Sequence, residues 1–284
     1  MNRMKIAVLC YVFVISLVGV SLADAAPGTF SKTELDDFTL HTFTTTEGPG
    51  DITYIFETKD GLVLFELPSI HHLSRQLKDY VVGLKKPVEA ILAAYHVGGA
   101  SYYPGIPIYA SKAALDFIDS GEEMKVRKSI AANTPDFDLE VVRPDRLITE
   151  ERLKIGGIEF LFITPTTSPI PGMNVVIPSI NGYYQHVLGG GSHPLILSIE
   201  HMTKVLAELH AQKEGGFALF LDSHNGIEKP GAAVQKIAYL NELKKIRESS
   251  KDEETFVKNA QAAFPDYKGN ATLSRTAKNL YADN

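Results

Sequence analysis

Residues 88–111 read VEAILAAYHVGGASYYPGIPIYAS. The apolar, β-prone run from Val88 to Leu92 predicts a buried strand. It leads into His96, the pair Gly98-Gly99, a loop punctuated by Pro and Gly, and a second apolar run from Ile106 to Tyr109. Ser111, just before Lys112-Ala113-Ala114-Leu115, carries the side-chain oxygen that satisfies free N–H groups at a helix start. The order is strand, histidine, glycine pair, short strand, helix.

That order resembles the metallo-β-lactamase superfamily, in which the strand ends in His-x-His-x-Asp-His followed by Gly-Gly. The resemblance spans nearly all of the chain after the first 25 residues. It implies an α/β (α+β) protein, a four-layer αββα sandwich, with metal-dependent hydrolysis as the family activity. The ligand positions depart from the pattern. Aligned without a gap, His96 takes the last motif position, Tyr95 that of the Asp, Ala93 that of the second His and Ile91 that of the first. A short deletion before Ala93 fits equally well and restores no ligand. Glu66-Leu67-Pro68 stands where the family has Asp followed by Gly. The loop that carries a ligand His there reads PTTSPIPG over residues 165–172 here, and no acidic residue lies between Glu159 and Glu200 to supply the bridging carboxylate. Ser223-His224-Asn225 matches the closing Gly-His-Gly loop. Zinc needs imidazole or carboxylate donors and an open position for water, and Ala, Ile and Tyr are not such donors.

The periodicity around this motif agrees with such a sandwich. DITYIFETKDGLVLFEL, residues 51–67, predicts a hairpin turning at Asp60-Gly61. Leu73, Leu77, Tyr80, Val81 and Leu84 recur at helical spacing. Residues 112–135 read as helical and then open. Gly156-Gly157 predicts a second hairpin within 152–165, residues 174–191 two short strands, and 216–226 a buried strand ending in Ser223-His224-Asn225. Helices are expected over 199–209 and from Pro230 through Leu243. About residues 249–284 should form a helical extension packed outside, anchored by Phe256, Phe264, Tyr267, Leu273 and Leu280.

Composition narrows the function classes. The 284-residue chain is 44% hydrophobic and 22% charged with net charge −6, as expected of a globular protein. It has no basic cluster, which argues against nucleic acid as a partner. Arg3, Lys5, the apolar run Ile6–Leu22 and the small-x-small Ala23-Asp24-Ala25 predict a signal peptide over residues 1–25, with a secreted or periplasmic domain over 26–284 and no stable membrane anchor after cleavage; an uncleaved anchor is the alternative. The one cysteine, Cys10, falls inside that leader, which leaves neither a disulfide nor a thiol nucleophile.

His96 and His224 match ligand positions and are the metal candidates, for one weak ion at most. No cofactor is expected; zinc is the alternative. His186 and His193 flank Gly189-Gly190-Gly191, and either could complete a three-histidine set, against the plainer reading of loop histidines. Tyr95, Tyr102, Tyr103, Tyr183 and Tyr184 are expected around the cleft, lining a small-molecule site or plugging it. No nucleophile elbow surrounds Ser192, and Asp222-Ser223-His224 are too close in sequence to form a triad. Three functions compete: a ligand-binding pseudoenzyme or metal-poor hydrolase with a degenerate metal site, an active hydrolase of an ester, lactone, thioester or β-lactam using a rebuilt histidine site, and a structural or interaction protein with a closed cleft.

Overall fold

The computed structural model describes residues 27–282 except 49, 97, 166, 169, 170, 187 and 188. The expected signal peptide lies outside the described residues.

The first half forms a seven-stranded sheet in sequential order: β1 (Thr29–Glu34), β2 (Thr39–Thr44), β3 (Ile52–Glu57), β4 (Leu62–Phe65), β5 (Val88–Leu92), β6 (Ile108–Ser111) and β7 (Arg146–Ile148). The second half forms a six-stranded sheet from β8 (Arg152–Ile155), β9 (Ile158–Ile163), β10 (Asn174–Ile177), β11 (Gly182–Gln185), β12 (Leu219–Asp222) and β13 (Gly226–Glu228). Tyr54, Phe56, Phe65, Phe160, Val175, Tyr184 and Leu221 fill the space between the sheets. Helices α1 (His71–Gly83) and α2 (Lys112–Asp119) cover the first sheet, and α3 (Glu122–Ala131) packs beside α2. Helices α4 (Ile199–Glu214), α5 (Gly231–Ser249), α6 (Glu253–Ala263) and α7 (Asn270–Tyr281) cover the second. This is the expected αββα arrangement.

Both hairpins form, and Ser111 caps α2 by accepting a hydrogen bond from Ala114 N at 3.0 Å. The apolar run 216–226 is interrupted: β12 stops at Asp222, and the chain turns through Ser223-His224-Asn225 into β13. β1, β2 and β7 are not among the strands expected from the sequence. β1 is an almost wholly exposed edge strand, so it lacks the alternation that marks a half-buried one. The C-terminal helices bury Phe256, Ala260, Leu273, Ala277 and Leu280 in the same cluster as Leu240 and Leu243 of α5.

The strand directions prepare the site. β4 runs parallel to β5, and β11 parallel to β12. The chain therefore leaves β4 at Glu66 and β5 towards His96 on one edge, and leaves β11 at His186 and β12 towards His224. Two ties hold the sheets in register there: Tyr54 Oη donates to the Asp222 carbonyl at 2.8 Å, and Ile52 N donates to the Ser223 carbonyl at 2.7 Å.

Candidate metal centre

Three imidazoles converge at that edge. Nε2 of His186 lies 3.1 Å from Nε2 of His96 and 3.1 Å from Nε2 of His224. One nitrogen from each residue falls within 4.8 Å of the others, and all three rings are half-buried. Each ring is aimed by its surroundings. Glu66 carries the first: its Oε2 contacts His96 Nδ1 at 2.5 Å, and its two oxygens accept from the backbone N–H of Tyr95 (2.8 Å) and of His96 (3.0 Å). Glu66 holds φ at +57°, a left-handed conformation that is uncommon for a residue with a side chain and that clusters at functional sites. Asp222 shapes the turn of the second ring. Its Oδ1 accepts from the N–H groups of His224 (2.7 Å) and Asn225 (2.8 Å), and Oδ2 from Gly189 N (2.9 Å). His224 Nδ1 then faces Asp51 Oδ1 at 3.8 Å. The third ring, His186, stacks on Tyr95 with centroids 4.8 Å apart.

Tyr95 is itself fixed from two sides. Its hydroxyl donates to Asn174 Oδ1 at 2.6 Å, and Gly172 lies flat against its ring: a Cβ on Gly172 would stand 2.1 Å from Tyr95 Cδ1. Gly99 has an equally specific task. At φ +64° it brings the His96 loop so near the neighbouring loop that a Cβ would meet the Pro68 carbonyl at 2.5 Å.

The charges follow from this geometry. Burial alone would lower the His96 pKa, but the Glu66 carboxylate overrides it and raises His96 to about 9. Burial pushes His186 well below the ordinary imidazole value, and a charge on His96 or His224 pushes it further. His224 is lowered by burial and then by His96, with Asp51 and Asp222 pulling the other way. Without a metal, the centre is thus one imidazolium, on His96, whose ring faces two neutral imidazoles.

These donors fit one zinc ion. Three imidazole nitrogens with an open fourth position make up a known catalytic set, and a carboxylate behind Nδ1 fixes the tautomer that leaves Nε2 free to ligate. Among the described residues no further group of three metal-ligating side chains occurs.

His96, His186 and His224 come together, with Tyr95 alongside. The other expected cleft residues do not. Tyr184 points the opposite way from Tyr183 on β11, lies fully buried between the sheets and hydrogen-bonds Ser223 Oγ. Tyr183 faces the core under α4 and α5. Tyr102 and Tyr103 sit in a 3-10 turn that packs on α1, where Tyr102 Oη meets His71 Nδ1 at 2.9 Å and Tyr103 is buried. His193 is buried elsewhere and bonds Tyr239 Oη at 2.7 Å. Sequence reasoning missed Asp51, Glu66 and Asp222 as residues that aim the rings. An acidic residue at a strand end beside a ligand histidine was the available signal.

No protein-family model matches the chain, and no curated protein matches it in sequence. Solved structures do. A double mutant of the sec-alkyl sulfatase PisA1 superposes with a TM-score of 0.63 at 15% identity over 88% of this chain; the chain spans about half of that enzyme, 50% of its length. The metallo-β-lactamase FIM-1 from Pseudomonas aeruginosa, in its mono-zinc form, gives 0.55 at 16% identity, covering 76% of this chain and 96% of that one. A metallo-β-lactamase from Pontibacter korlensis gives 0.51 at 16%, covering 75% and 99%. Two sheets face to face with helices outside both agree with these superpositions: the chain has the metallo-β-lactamase fold.

Proposed function

We propose that this protein is a hydrolase that works with a single zinc ion on His96, His186 and His224. The observation that carries this is the convergence of three Nε2 atoms, two of whose rings have a carboxylate facing Nδ1. The fold's likeness to hydrolases, one of them a mono-zinc form, supports it. Bound zinc supplies Lewis acidity to a carbonyl, sulfuryl or phosphoryl oxygen and acidifies water. The protein's own part is orientation and proton placement. Glu66 holds a proton on Nδ1 of His96, Asp51 lies 3.8 Å from Nδ1 of His224 as a nearby negative charge, and Tyr95 keeps His186 upright. The His96 imidazolium gives up its Nε2 proton when that nitrogen becomes a ligand.

The test is purification without chelator, followed by elemental analysis and assay on a nitrophenyl ester, a lactone, a thioester, a sulfate ester and a β-lactam. About one zinc per chain, with hydrolysis that chelator abolishes, is the expected result. Two zinc ions or none would overturn the single-ion reading. One zinc without turnover of any class would favour the second reading, a ligand-binding pseudoenzyme, which the replacement of the motif's acidic position by Tyr95 supports. The same proposal takes the protein as exported, with residues 1–25 removed. Among the described residues no helix is long and apolar enough to cross a membrane. N-terminal sequencing of exported material should begin near Ala26.

A further inference from the structure

The histidines form one side of a cavity of about 210 Å³. Its far wall is hydrocarbon: Ala114, Phe117 and Ile118 from α2, Val126 and Ile130 from α3, and Phe137 beyond them. The spacing i, i+3, i+4 on α2 and i, i+4 on α3 puts each set on one stripe, of the kind that a surface helix normally presses into a core. Here Phe117, Ile118 and Ile130 stay half-buried and Val126 is exposed. The two charges on this wall are engaged within the protein. Arg127 stands 3.6 Å from Glu123, donates to the Asp138 carbonyl and lies over the Phe137 ring at 5.3 Å. Apolar side chains left uncovered beside a polar centre mark a ligand site.

We infer that the substrate carries an apolar acyl or alkyl group, lodged between α2 and α3, with the bond to be cleaved at the histidines. The position of that bond rests on the metal-centre reading; the apolar wall does not. Each methylene moved from water onto hydrocarbon is worth about fourfold in affinity.

Calorimetric titration of straight-chain carboxylates, acetate through decanoate, into zinc-loaded and zinc-free protein tests this. Affinity should climb about fourfold per methylene until the chain fills the chamber and then level or fall. Phe117→Ala, which lengthens the chamber, should move that break to longer chains, a change that misfolding cannot imitate. Val126→Asp, at an already exposed position, should weaken octanoate and leave acetate unchanged. Affinity independent of chain length in zinc-loaded protein would overturn the inference, as would a break that Phe117→Ala leaves in place. If zinc fails to bind while the chain-length series survives in the metal-free protein, the metal reading falls and the apolar chamber stands.

Discussion

His186 and His193 stand on either side of Gly189-Gly190-Gly191, and the fold sends them to opposite settings. The His186 ring faces two other imidazoles across 3.1 Å, with the carboxylates of Glu66 and Asp51 behind those partners. His193 is packed near Tyr239 and Tyr267, with Nδ1 on the Tyr239 hydroxyl and the Lys236 ammonium close by, itself bonded to the Ser192 carbonyl. Burial lowers the pKa of both histidines, and Lys236 lowers His193 further. Burial therefore does not make a ligand. Converging lone pairs with carboxylates behind them invite a cation; a lone imidazole beside an ammonium repels one.

The widest separation between the two settings should appear on deleting each ring. His186→Ala should cost about a hundredfold or more in zinc affinity, since a four-ligand site holds zinc by about 10–16 kcal/mol. His193→Ala should leave zinc binding unchanged and only lower the melting temperature. Calorimetric zinc titration of both variants measures this; equal effects would erase the distinction.

Glu66→Gln sharpens the electrostatic half of the comparison. In wild type, zinc must displace a proton from His96, whose pKa is about 9, so affinity should rise roughly tenfold per pH unit from pH 7 to about 9 and then level. At pH 9, where the proton no longer competes, Glu66→Gln should bind zinc 10- to 100-fold more weakly, as expected for loss of a partner behind a ligand. At pH 7 the gap should narrow, because the variant has no such proton to displace. Titration at pH 7 in buffers of different ionisation enthalpy should register close to one proton released per zinc by wild type and much less by the variant.

Gly172→Ala probes the wall that holds His186 upright. The added methyl must push the Tyr95 ring aside, and such overpacking costs about 1–3 kcal/mol. Urea denaturation should show that loss together with weaker zinc binding. A variant of wild-type stability would mean that Tyr95 yields freely.

The smallest effect is expected on the His193 side. Burial lowers Lys236 to about 8, against the pull of Asp222 and Glu228. Because its folded pKa lies below the unfolded value, the ammonium costs stability below pH 8, and the cost fades as pH rises from 8 to 10.5. The whole depression is worth about 3 kcal/mol, offset by about 1 kcal/mol for the hydrogen bond to Ser192. Lys236→Met should therefore be about 1–2 kcal/mol more stable than wild type at pH 7, with the difference shrinking by pH 10.5 and zinc content unaffected. A constant difference across that range would show that the ammonium is not the cause.

Much of this architecture was legible in the chain. Two-residue turns at Asp60-Gly61 and Gly156-Gly157, apolar runs at 88–92 and within 216–226, and helical stripes at 73–84 and 234–243 are local signals, set by the period of the backbone. They determine two β-rich halves with helices to cover them, and they place His96 and His224 at strand ends. They could not say which other groups those ends would meet. His186 and His193 are both loop histidines beside glycines, and Tyr183 and Tyr184 are adjacent aromatics. Only the parallel pairing of β11 with β12, and the stacking of one sheet on the other, brings His186 to His96 across 90 residues. Glu66 reads locally as a departure from a motif; the left-handed turn after β4 makes it the carboxylate that charges His96. The sequence by itself determined the elements and their faces, because hydrogen-bond periodicity and apolar spacing act over a few residues. The tertiary structure decided the site, because convergence of imidazoles and carboxylates depends on where separate strands end in space.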